Sequence, residues 1–145
     1  MSHAELSEAV VSTEISVRFA ETDSMGVVHH AAYIVWFEVG RVAWLNAAGM
    51  PYKEIAQGGN HFAVTGVNAI YRAASTFGDV LCIQTRLTKL RSRQVSFAYE
   101  IRHRDSGELC VTGSSDHICV DLQGRMSKLP QAVLDRLWEG ANALK

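Results

Sequence analysis

The chain has no excess of either charge: 14 basic residues stand against 15 acidic ones, for a formal net charge of −1. That balance gives no electrostatic reason to expect nucleic acid or an anionic membrane as a partner. Long apolar runs are missing too. The longest, Ala31 to Phe37, has seven residues, far fewer than the ~20 a membrane span requires. The first twelve residues hold no basic start followed by an apolar core and a cleavage site, so no secretory signal is expected and a cytoplasmic protein is. Three cysteines, Cys82, Cys110 and Cys119, without a CxxC spacing, do not make a disulfide framework, and buried thiols are expected. His117 and Cys119 fall on one face of an expected strand, but no second pair completes a four-ligand site; neither metal nor other cofactor is expected. GxSxG, GxxxxGK[ST] and GxGxxG are absent, which removes the serine-hydrolase elbow and the common phosphate cradles.

What is present reads as one domain. A chain of 145 residues can bury roughly 68–70% of its unfolded surface without a staple. Residues 1–12 carry no period and read as a flexible terminus, leaving 13–145 as the domain. From Thr13, Ile15, Val17 and Phe19 alternate with Glu14, Ser16 and Arg18, the pattern of a half-buried strand. A turn from Glu21 to His29 leads into a helix from His30 or Ala31 to Ala48, stopped by Gly49 and Pro51. This helix is apolar on nearly every side and is expected to be wrapped by other structure. A weaker helical turn covers Tyr52 to Gln57. Four strand-like segments follow: Phe62 to Tyr71, Val80 to Leu90, a third in which Val95, Phe97, Tyr99 and Ile101 alternate with polar or small residues, and Leu109 to Asp121. Gly113, Ser114 and Ser115 mark a bend or a close approach in the last. Pro130, at a favoured first position, opens a final helix to about Ala143. Strands grouped apart from helices indicate an α+β domain, an antiparallel sheet curled around the central helix, whose uncovered edges favour self-association.

Asp23 stands at the mouth of the long helix. Unpaired N–H groups and the positive end of the helix dipole there suit an anion or a developing oxyanion. Thr22, Asp23 and Ser24 also read as plain turn and cap formers. A carboxylate in this place can act as general base on water or attack a carbonyl, which suits acyl transfer. His29 and His30 beside it can change charge near neutral pH. Glu38 and Arg41, three apart on the helix, are expected to form an internal ion pair. Lys89, Arg91 and Arg93 cluster at a strand connection, either as a solvated turn or as donors for phosphate.

The run TDSMGVVHHAAY, Thr22 to Tyr33, resembles the signature of the 4-hydroxybenzoyl-CoA thioesterase family of hot-dog-fold proteins. It is nearest to the bacterial acyl-CoA thioesterase branch with the form DTDxxGVVYHxxY, and in strand order the likeness covers about residues 13–130. The resemblance implies a hot-dog fold, a five-stranded antiparallel sheet wrapped around a long central helix. It implies hydrolysis of an acyl-CoA to free acid and CoA without metal, in a homotetramer built as a dimer of dimers with sites between subunits. Carried over by position, Asp23 is the nucleophile or general base and Gly26 forms the tight turn. His30 polarises the thioester carbonyl through its backbone N–H and serves as a positioning side chain. Arg91, Ser92, Arg93 and Lys128 contact the CoA nucleotide. Two departures stand out: Glu21 replaces the branch's Asp, and His29 its usual Tyr, so the branch's acyl preference does not transfer. Some hot-dog thioesterases place a catalytic Glu on this helix, which keeps Glu38 in view. The same fold also admits a non-catalytic acyl-CoA or acyl-carrier-protein binding module, or a dehydratase working through a catalytic His in another motif.

Overall fold

The computed structural model describes residues 6 and 8–144. Its elements are β1 (Val11–Ser16), α1 (His30–Ala47), α2 (Tyr52–Gln57), β2 (His61–Tyr71), β3 (Val80–Leu90), β4 (Gln94–His103), β5 (Leu109–Val120) and α3 (Gln131–Ala143). The five strands make one antiparallel sheet in the order β1-β3-β4-β5-β2. This is the expected α+β arrangement, with α1 lying on the sheet's inner face. The expected flexible terminus falls partly outside the described residues, at 1–5 and 7. Val11 and Ser12 depart from that expectation: they already belong to β1, opposite Thr85 and Gln84.

Alternation places Val95, Phe97, Tyr99 and Ile101 of β4 on the inner face, and α1 turns Ala32, Tyr33, Trp36, Phe37, Gly40, Trp44 and Leu45 onto it. Phe37 stacks on Tyr99 with ring centroids 4.3 Å apart and planes 6° from parallel. Trp44 meets Phe97 edge-on at 5.8 Å. Such pairs add to the burial of apolar area. Gly113 in β5 makes the stack possible, because a Cβ there would collide with the Phe37 ring and the Asn68 carbonyl. The small residues in the middle of β5 thus mark a close approach.

Three expectations are corrected. The long helix is not wrapped on all sides: Ile34, Val35 and Val42 remain exposed, Val35 by 54%, because one sheet covers only one side of a cylinder. Phe19 does not continue the first strand inward and is 75% exposed. Val17 is tied to the loop before β3, its N–H donating to the Asp79 carbonyl (2.9 Å) and its carbonyl accepting from Gly78 (3.1 Å). The chain then turns through a 3₁₀ turn at Phe19–Glu21, which ends the alternation and leaves Phe19 edge-on to Phe77 at the surface. Pro130 precedes α3 as its cap residue, in extended conformation, instead of occupying its first turn. Among the described residues no helix is long and apolar enough to cross a membrane.

Candidate active site

The segment before α1 is a small hairpin. Asp23 donates its N–H to the Val27 carbonyl (2.8 Å), Gly26 donates to the Asp23 carbonyl (3.0 Å), and Thr22 pairs with Val28. Gly26 sits at φ +81°, a conformation that side chains resist, so the tight turn expected at this residue is present. Val28 donates to the Ser75 carbonyl at 2.8 Å and His29 to the Glu21 carbonyl at 3.0 Å. The first bond holds the turn against the loop before β3, and the second ties it to the 3₁₀ turn at Phe19–Glu21. Asp23 is exposed, and its Oδ1 accepts the Met25 N–H at 2.8 Å.

Helix α1 begins at His30, and the Ala32 N–H is taken by the His29 carbonyl at 3.1 Å. The N–H groups of His30 and Ala31 precede the helical ladder and have no carbonyl within the helix to meet. Beside them opens a cleft of about 330 Å³ lined by Val28, His30, Tyr33, Tyr71, Arg72, Ala73 and Ala74. The His30 side chain is exposed, and its carbonyl accepts the Tyr71 hydroxyl at 3.0 Å. Tyr33 is buried between Trp36 and Tyr71, and burial raises its hydroxyl pKa above the usual value. His29 is half-buried at the cap position and makes no side-chain cap bond.

Glu21, two residues before Asp23, serves the scaffold. Its residue is 8% exposed. Oε1 accepts the Arg18 N–H at 2.8 Å, and Oε2 accepts the Trp36 indole N–H at 3.0 Å and the Arg18 guanidinium at 3.3 Å. Burial pushes the carboxyl up, and the bonds from Arg18 and Trp36 outweigh it, leaving the pKa below the ordinary glutamate value.

The basic positions gather elsewhere. Arg91 closes the β3–β4 turn by donating its N–H to the Gln94 carbonyl (2.8 Å), while the Ser92 carbonyl accepts from Leu129 (2.7 Å). That last bond brings Lys128 alongside Arg91, Ser92 and Arg93, and all three cations are exposed. The group lies at the far end of β3 from the Asp23 turn, since β1 leads into that turn from Ser16, opposite Val80. The eleven residues of β3 span about 33 Å. One chain therefore joins the four basic-turn residues to one another and not to Asp23.

The expected Glu38–Arg41 pair is not formed. Glu38 faces outward, and Arg41 instead donates to the Tyr99 hydroxyl at 3.3 Å, because its side chain reaches inward over the sheet. Tyr99 in turn contacts Ser115 Oγ at 2.5 Å, and Ser115 contacts His117 Nε2 at 2.8 Å. This chain of polar groups was missed in the sequence, although a signal existed: Ser115 and His117 fall on the same face of β5 as buried Val111. Cys119 Sγ lies 3.6 Å from both Asn60 Oδ1 and Ser127 Oγ, so it and His117 have separate partners. Among the described residues no group of three or more His, Cys, Asp and Glu is placed to hold a metal.

Comparison with known proteins bears on this geometry. The family model described as the thioesterase-like superfamily matches residues 17–137. The Bacillus subtilis protein named "Putative acyl-CoA thioesterase YneP" is 37% identical over 112 residues, covering 77% of this chain and 80% of its own. The crystal structure of TT1821 from Thermus thermophilus superposes with a TM-score of 0.81 at 36% identity, over 94% of this chain and 98% of that one. The DHNA-CoA thioesterase from Staphylococcus aureus does so with a TM-score of 0.83 at 31% identity, over 92% of this chain and 89% of its own.

Proposed function

The chain belongs to the thioesterase-like superfamily and is a thioester hydrolase with the hot-dog fold of its structural neighbours, and from that premise we propose that it hydrolyses an acyl-CoA to free acid and CoA, by the chemistry of the 4-hydroxybenzoyl-CoA thioesterase family. The observation that carries the mechanism is the hairpin that fixes Asp23 immediately ahead of α1, where the N–H groups of His30 and Ala31 have no helical acceptor. The thioester oxygen is received by the His30 N–H. As the carbonyl carbon is attacked, charge moves onto that oxygen, and a fixed donor at a helix start stabilises it most when the charge is greatest. Asp23 either deprotonates the attacking water or attacks the carbonyl itself; in both routes the C–S bond breaks and CoA leaves as a thiolate that takes up the proton released from water, and in the second route the acyl–Asp23 anhydride left behind is opened by that water to free acid and the restored carboxylate. Its exposed Oδ2 is the oxygen assigned to this work, since Oδ1 is held by Met25.

Arg91, Ser92, Arg93 and Lys128 are assigned to the phosphates of CoA, for which guanidinium and ammonium groups are suitable donors. Because about one strand length separates them from Asp23 in the same chain, the substrate is shared between copies. The partner surface we assign to a dimer is the unpaired edge of β2 with the uncovered face of α1, where Val64 and Val67 of β2 and Ile34 and Val42 of α1 are exposed apolar residues. A second pairing of such dimers brings the basic turns to the CoA tails.

A thiol-reporter assay across short, long and aromatic acyl-CoAs tests the reading. Turnover in the parent and its loss in Asp23→Asn support it, whereas tight acyl-CoA binding with negligible release of CoA replaces it with a binding module. Complementation tests the sharing. Asp23→Asn mixed and refolded with the Arg91→Ala/Arg93→Ala double variant should regain roughly a quarter of parental activity, because random assembly leaves about one site in four with an intact Asp23 from one chain and an intact basic turn from the other. Equal inactivity of the mixture and its components places both groups in one chain's site.

A further inference from the structure

Resting on the thioesterase reading, we propose that His103 is a positioning residue for the reaction: from outside the cleft it clasps the loop that carries both the cleft wall and the Asp23 hairpin. His103 ends β4 and pairs with Leu81 of β3, so it continues the inward-facing series Val95, Phe97, Tyr99 and Ile101. Alternation along the strand thus brings a polar ring, its side chain 19% exposed, to the end of the sheet where β1 runs into the Asp23 turn.

The loop spans residues 72–79, between β2 and β3. Backbone holds its two ends: Arg72 and Ala73 donate to the Cys110 carbonyl at 2.7 and 3.2 Å, and the Gly78 N–H and the Asp79 carbonyl bond Val17. The reaction site hangs from its middle. Ala73 and Ala74 line the cleft beside His30, the Ser75 carbonyl takes the Val28 N–H at 2.8 Å, and Thr76 pairs with Val27. Val28 follows Asp23 by five residues and precedes His30 by two. A shift of the middle of the loop therefore carries the hairpin and the helix start with it.

The sheet reaches that middle through side chains. From β5, Cys110 Sγ meets Ser75 Oγ at 3.6 Å, but a thiol is a weak partner. From β4, His103 Nε2 lies 3.2 Å from the Ala74 carbonyl oxygen. A carbonyl only accepts, so this bond places a ring proton on Nε2. The nearby carboxylates leave it undisturbed: Asp79 Oδ2 stands 3.8 Å from Nδ1 and Glu108 Oε1 3.8 Å from Nε2, beyond hydrogen-bond reach. Asp79 Oδ2 instead accepts the Thr76 N–H at 2.9 Å, which steadies the same stretch from its other end. His103 is not one of the residues lining the cleft. It acts on the reaction through the Ala74 peptide, and through the Ser75 carbonyl one residue on.

The test uses the intact protein, well below its melting temperature, with whichever of the short, long and aromatic acyl-CoAs it turns over fastest. His103→Phe keeps a ring and loses the donor, whereas His103→Gln restores an N–H at about the reach of Nε2. In His103→Phe kcat should fall about tenfold, less than the roughly 10²-fold that an ångström-sized misplacement can cost. KM should stay within about twofold, the pattern of a contact that matters in the transition state alone, because the basic turn lies at the far end of β3. Hydrogen exchange followed by mass spectrometry should quicken over residues 19–33 and keep the parental rate around the β3–β4 turn. His103→Gln should recover both the kcat and the slow exchange. Parental kcat and exchange in His103→Phe overturn the assignment and leave the thioesterase reading standing. A loss of kcat that His103→Gln does not recover does the same, as does exchange that quickens through the whole sheet, the mark of a general structural role. Release of CoA by the parent from none of the acyl-CoAs overturns both.

Discussion

Glu21 and Asp23 are carboxylates two residues apart, and the structure gives them opposite surroundings. Glu21 is buried and accepts three hydrogen bonds from Arg18 and Trp36, so its charge is committed to holding the 3₁₀ turn against α1. Asp23 is exposed, with one oxygen tied to Met25 and the other, in the function proposed, left for a substrate. The difference teaches that a carboxylate's use follows from what satisfies it. The segment ending at Glu21 is a brace, and the hairpin beginning at Thr22 is the part it holds in place.

The largest expected effect separates the two at once. Asp23→Asn keeps the side-chain shape and the Oδ1 acceptor but removes charge and basicity, so thioester hydrolysis should fall by about 10²–10⁴, the usual range for a general base. Its melting temperature should stay near the parent's, because an exposed group is being changed. Activity within a few-fold of the parent would move the chemistry away from Asp23.

Much of this molecule was legible before its structure, for reasons that can be located. Strand and helix segments follow from local periodicity, and turn residues such as Gly26 and Gly49 punctuate them. The Asp23 hairpin was legible because its motif is contiguous. Phe19 was misplaced because alternation continues through it in the sequence, while the bonds that end β1 come from Gly78 and Asp79, sixty residues on. Arg41 was assigned to Glu38 because helical spacing is visible in a sequence, whereas Tyr99, 58 positions away, is brought near only by the sheet. The separation of Arg91 from Asp23 was hidden for the same reason: it depends on which end of β3 each joins.

The next effect down inverts the first. Glu21→Gln should cost about 1–3 kcal/mol of stability, the usual price of weakening buried hydrogen bonds to a charged acceptor, with activity changing only as far as the hairpin loosens. The pH dependence sharpens this. Glu21 has a folded pKa below its ordinary value, so its contribution is present above the ordinary value of 4.5 and is lost as pH falls through the lower folded one. Glu21→Gln should flatten the acid limb in that window. His117 marks a separate window. Burial first, then the charge of Arg41, push its imidazole down to about 4 against an opposing pull from Asp116. The unfolded chain therefore takes up this proton more readily, and stability declines as pH drops from 6.5 toward about 4, with a slope of at most about 1.4 kcal/mol per pH unit. His117→Asn should remove that slope and leave the Glu21 window in place, as read from melting temperatures at half-unit pH steps.

The smallest effect tests whether the brace depends on its most conspicuous apolar residue. Phe19 is three-quarters exposed, and its ring meets Phe77 edge-on at 5.8 Å. The bonds that shape the 3₁₀ turn run through the backbone and Glu21: the Glu21 N–H donates to the Arg18 carbonyl and the Thr22 N–H to the Phe19 carbonyl. None of them uses the Phe19 side chain. Phe19→Ser should therefore change stability by no more than about 0.5 kcal/mol, as for other surface substitutions, measured by urea denaturation at several protein concentrations. A loss of about 2 kcal/mol or more, of the size that goes with burying an aromatic ring, would mean that Phe19 is covered in solution by another copy. The brace would then be part of an interface, and the contrast with the Asp23 hairpin would have to be redrawn between subunits.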